Sequence, residues 1–431
     1  MPMIKDEPAA ARAADVFPID QVRRQFPALE RAGSFVFFDN GAGAQVPAGV
    51  IAAVTDHLLA RNVQRGGPYR HSREVDEMVA GARASVAAFV NARGADEIAF
   101  GLNATSFIRS ISLAIGQTLG SRAEVVVSDV DHEANVATWL ALERAGARIV
   151  WWRGRDDGAL HTADLEALLS ERTRLVACTV ASNATGGIVD VAEVARRAHA
   201  VGAEVFLDAV HYAPHGPLDV QALDCDYMVC SGYKIFAPHM GFACCRREAI
   251  NRLPTFREDF IPDVTPDKLE AGTFVYENVA GMDAAITYIE SLGRGFANAG
   301  PHDAATPRVD RIRAGMSAIA GYERTLSAAL LDEVGDVPGL TVVGVTDRGR
   351  LDQRVPTLCF DVAGVDSMAI SHGFAARDIG LRAGHMYSPR LISRLGRLPN
   401  GVVRASLVHY NTVGEVARFG TALREVLREL R

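Results

Sequence analysis

Two hydrophobic rhythms alternate along the chain. Between about residue 35 and residue 245, short apolar runs recur: SFVFFD, EIAFG, EVVVSD, RIVWW, RLVACTV, EVFLDAV, DYMVCS and GFACCR. Several are continuous rather than alternating, which predicts strands buried on both faces. In the intervening DEMVAGARASVAAFV, NVATWLALERAG, TADLEALLSE and VAEVARRAHAVG, the apolar positions follow the period of one helix face, and Gly or a turn follows each. This alternation predicts an α/β domain around a mostly parallel sheet, with ligands at the carboxyl ends of its strands. DAAITYIESLG and DRIRAGMSAIAGYERTLSAALLDEVG read as long helices. Beyond about residue 338, TVVGV, TLCFDV and GVVRASLVHY read as strands, with SMAISHGFAAR and EVARFGTALREVLREL as helices. The expected organisation is an N-terminal segment over residues 1–34 that packs on one of two units, a large domain over 35–290 and a smaller α+β domain over 291–431.

Composition narrows the function classes. Hydrophobic residues make up 48% of the 431 and charged residues 23%, the balance of a soluble globular chain. A net charge of −7 argues against nucleic acid or an anionic membrane surface as a partner. No apolar run approaches the ~18 residues of a membrane span, and MPMIKDEPAAARAADVF has no apolar leader core, so a cytoplasmic location is expected. Six cysteines, none in a CxxC spacing, predict neither a disulfide framework nor a metal site. The phosphate-loop GxxxxGK(S/T), GxGxxG after a strand, HExxH and GxSxG are all missing. Gly41 and Gly43, in DNGAGAQVP, resemble a Gly-rich loop, but their spacing does not fit a dinucleotide site.

Of the 45 basic residues only three are lysines: Lys5, Lys234 and Lys268. Arginine does not deprotonate in proteins, so any lysine chemistry must use one of these. Lys5 lies in a polar leader and Lys268 in the charged DVTPDKLEAG. Lys234, in YMVCSGYKIFAPHMG, is framed by apolar residues. It either ends a strand and reaches water, or is desolvated and acts as a nucleophile or Schiff base. Asp208 closes the apolar run EVFLDAV, where an acid is either a helix-capping group or an active-site group. A carboxylate and a lysine on neighbouring strand ends are what pyridoxal phosphate requires: the lysine holds the aldehyde as an imine, and the acid keeps the pyridine nitrogen protonated.

At these residues the chain resembles the class V aminotransferase, or cysteine desulfurase-like, family of fold-type I pyridoxal-phosphate enzymes. The matching stretches are GLNATSFIRS, SDVDHEANVATW, TVASNATGGIVDV, FLDAVHYAPH, SGYK, EAGTF, LRAGHMY and RASLVHYNT, in the family's order. The resemblance implies Lys234 as Schiff-base lysine and proton carrier, Asp208 at the pyridine nitrogen and His132 on the ring face. It places His211 and Asn183 at the phenolic oxygen, and Ala104, Thr105, Ser231 and Tyr233 at the phosphate. Thr273 would reach the phosphate of a partner subunit in a homodimer. Arg404, with Arg382, would bind the carboxylate of an amino-acid substrate.

The sequence departs from desulfurases at one position. Their sulfur-accepting cysteine follows a motif like RxGHH. Here LRAGHMY supplies Arg382, Gly384 and His385, then Tyr387 in place of the thiol, and no cysteine follows Cys359. A phenol cannot form a persulfide. The resemblance is therefore to a subfamily lacking the nucleophilic cysteine. The leading expectation is a carbon–sulfur lyase working by Cα deprotonation and β-elimination, with Tyr387 or His385 as proton donor. Transamination and epimerisation are the alternatives, and a non-catalytic cofactor-binding protein is the alternative of a different class. Tyr69, Arg70, His71 and Tyr276 are expected near the substrate side chain.

Overall fold

The computed structural model describes residues 17–296 and 306–431. Lys5 and the start of the expected N-terminal segment lie outside the described residues. Thirteen strands are described: β1 (Val36–Phe37), β2 (Ile98–Gly101), β3 (Glu124–Ser128), β4 (Arg148–Trp152), β5 (Thr173–Thr179), β6 (Glu204–Asp208), β7 (Tyr227–Ser231), β8 (Gly241–Cys245), β9 (Leu340–Val343), β10 (Thr357–Val362), β11 (Ile379–Gly380), β12 (Arg382–Gly384) and β13 (Val402–Ser406).

Strands β2 to β8 form one seven-stranded sheet in the order β2-β8-β7-β6-β5-β3-β4. All run parallel except β8, which pairs antiparallel with both β2 and β7. This is the predicted α/β architecture. The apolar runs are continuous because helices cover both faces: every residue of β3 and of β7 is buried. The chain turns in opposite directions along the sheet from β3, which has β4 on one side and β5 on the other. That reversal opens a crevice at the carboxyl ends of the central strands.

A second, antiparallel sheet has the order β12-β13-β10-β9. Beside it, β1 pairs in parallel with β11, so a strand near the start of the chain meets one near its end. Val36, Phe38, Phe360, Val403 and Phe419 share the core of this unit. The closing helix Val413–Leu430 starts at Thr412, whose side chain accepts from Glu415 N while the Glu415 carboxylate accepts from Thr412 N. The long helix Arg308–Val334 joins the two units: Ile312, Met316 and Ile319 enter the core of the large sheet, while Leu326, Leu330 and Val334 enter that of the small one. Val22 and Phe26 are fully buried, and the Phe26 ring packs against Phe236, Tyr288 and Tyr410.

NVATWLALERAG departs from the one helix its periodicity predicts. It is an α-helix only over Ala134–Leu140, then tightens into a 3₁₀ turn over Ala141–Ala145 that Gly146 ends at φ 94°. TADLEALLSE likewise forms one short helical turn, Thr162–Leu165, before a 3₁₀ turn.

Candidate active site

Five strand ends meet at the crevice. Asp208 is the last residue of β6 and Ser231 the last of β7, with Lys234 in the 3₁₀ turn that follows. His132 follows β3, Asn183 follows β5, and the helix Ala104–Gly116 follows β2. These residues line a cavity of about 290 Å³ together with Thr105, His211 and Tyr233.

One end of the cavity is built for an anion. Asn103 caps the Ala104–Gly116 helix by accepting from Ser106 N at 2.9 Å, and Ala104 N donates to Ser231 Oγ at 3.2 Å. Ala104 and Thr105, at the start of this thirteen-residue helix, line the cavity, so the positive end of the helix lies beside it. Gly241 makes this approach possible: a Cβ there would lie 2.6 Å from the Asn103 backbone.

The middle of the cavity holds titratable groups with displaced affinities for protons. Burial, and after it the charge of nearby Arg404, lower the Lys234 amine to about 7, with Asp208 opposing both. Nζ donates to the carbonyl of Gly41. Burial raises Asp208 to about 6, against the Val210 N–H that its Oδ1 accepts at 2.9 Å and the charge of Lys234. His132 is lowered to about 4 by burial and by the cations Lys234 and Arg404. Its Nδ1 accepts from Ala134 N at 3.1 Å, so the ring is neutral near pH 7. His211 is held well below its usual range, chiefly by burial, and its Nε2 lies 3.0 Å from Thr357 Oγ1. Asn183 donates through Nδ2 to Met386 O at 2.6 Å.

The small unit supplies the opposite wall. Arg404, on β13, is 1% exposed; it donates to Asn183 O at 2.8 Å and to Asp39 Oδ1 at 3.0 Å. Its Nε is buried without a partner among the described residues. Arg382 donates to Asp39 Oδ2 at 2.7 Å and through Nη1 to Tyr387 OH at 3.3 Å. The Tyr387 ring stacks on His132 with centroids 5.6 Å apart. Met386 and Tyr387 both have positive φ, 51° and 58°, so the loop holds the phenol over the cavity at a cost in backbone strain.

Two of the residues singled out in the sequence stand outside the cavity lining. His385 accepts the Tyr387 N–H at Nδ1, 3.1 Å away. Thr273 is exposed, with Oγ1 3.5 Å from Gln64 Oε1. Tyr69, Arg70, His71 and Tyr276 also lie outside it; the Tyr276 phenol donates to Gln64 Oε1 at 3.4 Å. Conversely, Gly41 and Ala42 line the cavity, and Asp39 braces both arginines from behind. The Gly-rich DNGAGAQVP was the available signal, but nothing local to it shows which distant residues it meets.

The donor set fits pyridoxal phosphate: helix N–H groups and hydroxyls for the phosphate, an acid for the ring nitrogen, a neutral ring to stack, and an amine with lowered proton affinity. All six cysteines are buried and unpaired, and none lines the cavity.

Comparisons with known proteins agree. The family model described as aminotransferase class-V matches residues 36–314 and 309–419. The aminotransferase-like protein FGM3 of Gibberella zeae is 35% identical over 422 residues, covering 95% of this chain and 99% of that protein. A cysteine desulfurase of Enterobacter sp. is 32% identical over 95% of this chain and 98% of its own. The crystal structure of the Escherichia coli cysteine desulfurase CsdA superimposes with a TM-score of 0.81 at 27% identity, covering 97% of this chain and 100% of that one. The chain belongs to the class-V aminotransferase family and is a pyridoxal-phosphate-dependent enzyme.

Proposed function

We propose that the enzyme is a carbon–sulfur lyase that expels a thiol or persulfide from the β-carbon of a cysteine-like amino acid. One observation carries this reading. The cavity has a lysine base and two carboxylate-binding arginines, but a phenol, Tyr387, and no thiol to accept sulfur. Burial pushes the six cysteine thiols upward, Cys225 and Cys359 to about 12, so they are protonated near pH 7.

Bound pyridoxal phosphate supplies an aldehyde for the substrate amine and a ring that draws electrons from Cα. The backbone of Ala104, with Thr105, Ser231 and Tyr233, would hold its phosphate. Asp208 would keep the ring nitrogen protonated, neutral His132 would cover the ring face, and His211 and Asn183 would serve the phenolic oxygen. Arg404 binds the substrate carboxylate with Arg382 beside it, which presents the Cα–H to Lys234. Lys234 Nζ, unprotonated above about pH 7, takes that proton. Tyr387 OH gives a proton to the departing sulfur as the Cβ–S bond breaks, and His385 orients the Tyr387 backbone. The unsaturated amino acid left behind hydrolyses to a keto acid and ammonia.

The working unit is a homodimer in which the partner subunit's Thr273 completes the phosphate site. In support, Thr273 is exposed here, and Phe256 and Phe260 on the loop before it are 96% and 82% exposed. We place the enzyme in the cytoplasm. Its unpaired thiols suit a reducing compartment, and no helix among the described residues is long and apolar enough to cross a membrane.

The test is product analysis with cysteine, cystine and S-substituted cysteines, using Lys234→Ala as the control. Lysine-dependent pyruvate is expected. Alanine would show that sulfur is abstracted instead. Amino-group transfer to an added keto acid, or Cα inversion without pyruvate, would overturn the lyase in favour of a transaminase or an epimerase.

A further inference from the structure

The hydroxyl of Thr357 has one hydrogen-bond partner among the described residues, His211 Nε2 at 3.0 Å. Thr357 begins β10, in the small unit, and His211 follows β6, in the large one. The two residues are buried, 0% and 2% exposed, so water does not supply the hydroxyl with a second partner. The start of β10 is itself held in place. Thr357 N donates to Val355 O at 2.7 Å, and Thr357 O accepts from Arg354 Nη2 at 2.6 Å. Arg354 is buried and directs its other N–H groups at the carbonyls of Val345 and Val355, with no carboxylate partner among the described residues. A Cβ on Gly186 would lie 2.9 Å from Thr357 O, so the turn after Asn183 packs directly on this strand start.

The direction of the bond follows from counting protons. His211 is neutral near pH 7: burial first, then His215, whose ring meets it edge-on, and the cations Arg404 and Lys234 hold it well below its usual range. A neutral imidazole carries one N–H, on Nδ1 or on Nε2. With the proton on Nε2, the ring would donate to Thr357 Oγ1 and leave the threonine O–H buried without an acceptor. With the proton on Nδ1, the hydroxyl donates to the bare Nε2 and both groups are satisfied. Nδ1 has no partner among the described residues and is not a sealed atom; the little surface that His211 exposes lines the active-site cavity. We propose that Thr357 is a positioning residue that fixes His211 as the Nδ1–H tautomer and so makes it a hydrogen-bond donor toward the phenolic oxygen of the cofactor. The proposal rests on this cavity holding pyridoxal phosphate. A bond that only fastened the small unit to the large one would serve in either direction, whereas a donating hydroxyl leaves His211 a single assignment. A donor at the phenolic oxygen stabilises its negative charge, so the neighbouring Lys234 imine holds its own proton less firmly. Through His211, a strand of the small unit thereby tunes the proton affinity of that imine.

Nitrogen NMR of protein carrying isotope-labelled histidine reads the tautomer directly, with the His211 signal identified by its loss in His211→Gln. With cofactor bound and without it, His211 should be protonated at Nδ1 and bare at Nε2 near pH 7. Thr357→Val keeps the side-chain shape and removes the hydroxyl. Without cofactor, this variant should show a mixture of the two tautomers. With cofactor, its absorption band should persist, with the pH midpoint moved upward by about 0.3 unit or more. Thr357→Ser should restore the single tautomer and the midpoint. A wild-type His211 protonated at Nε2 overturns the assignment, as does an unmoved midpoint in Thr357→Val or a shift that Thr357→Ser does not reverse. If Thr357→Val does not fold, the wild-type spectrum without cofactor decides. A wild-type protein with no cofactor band would instead overturn the functional reading itself.

Discussion

Asp208 shows what the site costs the fold at the scale of one residue. Burial raises its proton affinity to about 6, so between its ordinary value and about pH 6 the folded chain binds a proton that the unfolded chain does not. The apoprotein should lose stability as pH rises through that window and remain at the lower level above it. Asp208→Asn should therefore raise the apoprotein Tm at pH 8 while cutting turnover about 10²-fold or more. A lower Tm would mean that the carboxylate, not the carboxyl, is what this site stabilises. Tyr387→Phe keeps the ring on His132 and removes only the proton. Pyruvate release should fall about 10²-fold, with little change in substrate KM. Lys234 was legible in the sequence because so few lysines competed for its role, and Asp208 because it closed an apolar run. Asp39 was not: the arginines it braces lie 343 and 365 residues away.

At the scale of elements, the anion-binding end depends on a close approach between β8 and the start of the Ala104–Gly116 helix. A Cβ on Gly241 meets backbone, which cannot rotate aside. Gly241→Ala should move the helix terminus, at a cost of about 1–3 kcal/mol, and weaken cofactor affinity about tenfold, read as the rate of band loss on dilution. Asn103→Ala removes only the cap, about 1 kcal/mol, and should lower Tm more than cofactor affinity. The central strands of the large sheet were legible because strands buried on both faces leave continuous apolar runs, whereas the edge strand β4 is only part-buried. The ends of helices were less so. The start of the helix at Arg70 and the 3₁₀ turn at Ala141 answer to tertiary contacts rather than to the periodicity of their own residues.

At the scale of the molecule, the exposed apolar residues are a second consequence of the fold. Leu102 and Leu113 are each 66% exposed, on or beside the helix that carries the phosphate end of the site, and Phe256 and Phe260 project from a neighbouring loop. Sedimentation should find a dimer, and Phe256→Asp with Phe260→Asp should yield monomers that have lost activity. A fully active monomer would remove Thr273 from the site. The architecture of the large sheet was legible because its connections are local, but the partner of β1 was not, since no residue near it signals a mate at Ile379–Gly380. That pairing also orders events in time. As the chain leaves the ribosome, the large sheet has all its strands once β8 has emerged, yet Val36 and Phe38 must wait for more than three hundred further residues before their own core exists. Until then two apolar side chains and a bare strand edge stay open to other molecules. Nascent chains halted before β11 should be the form of this protein that chaperones hold most tightly.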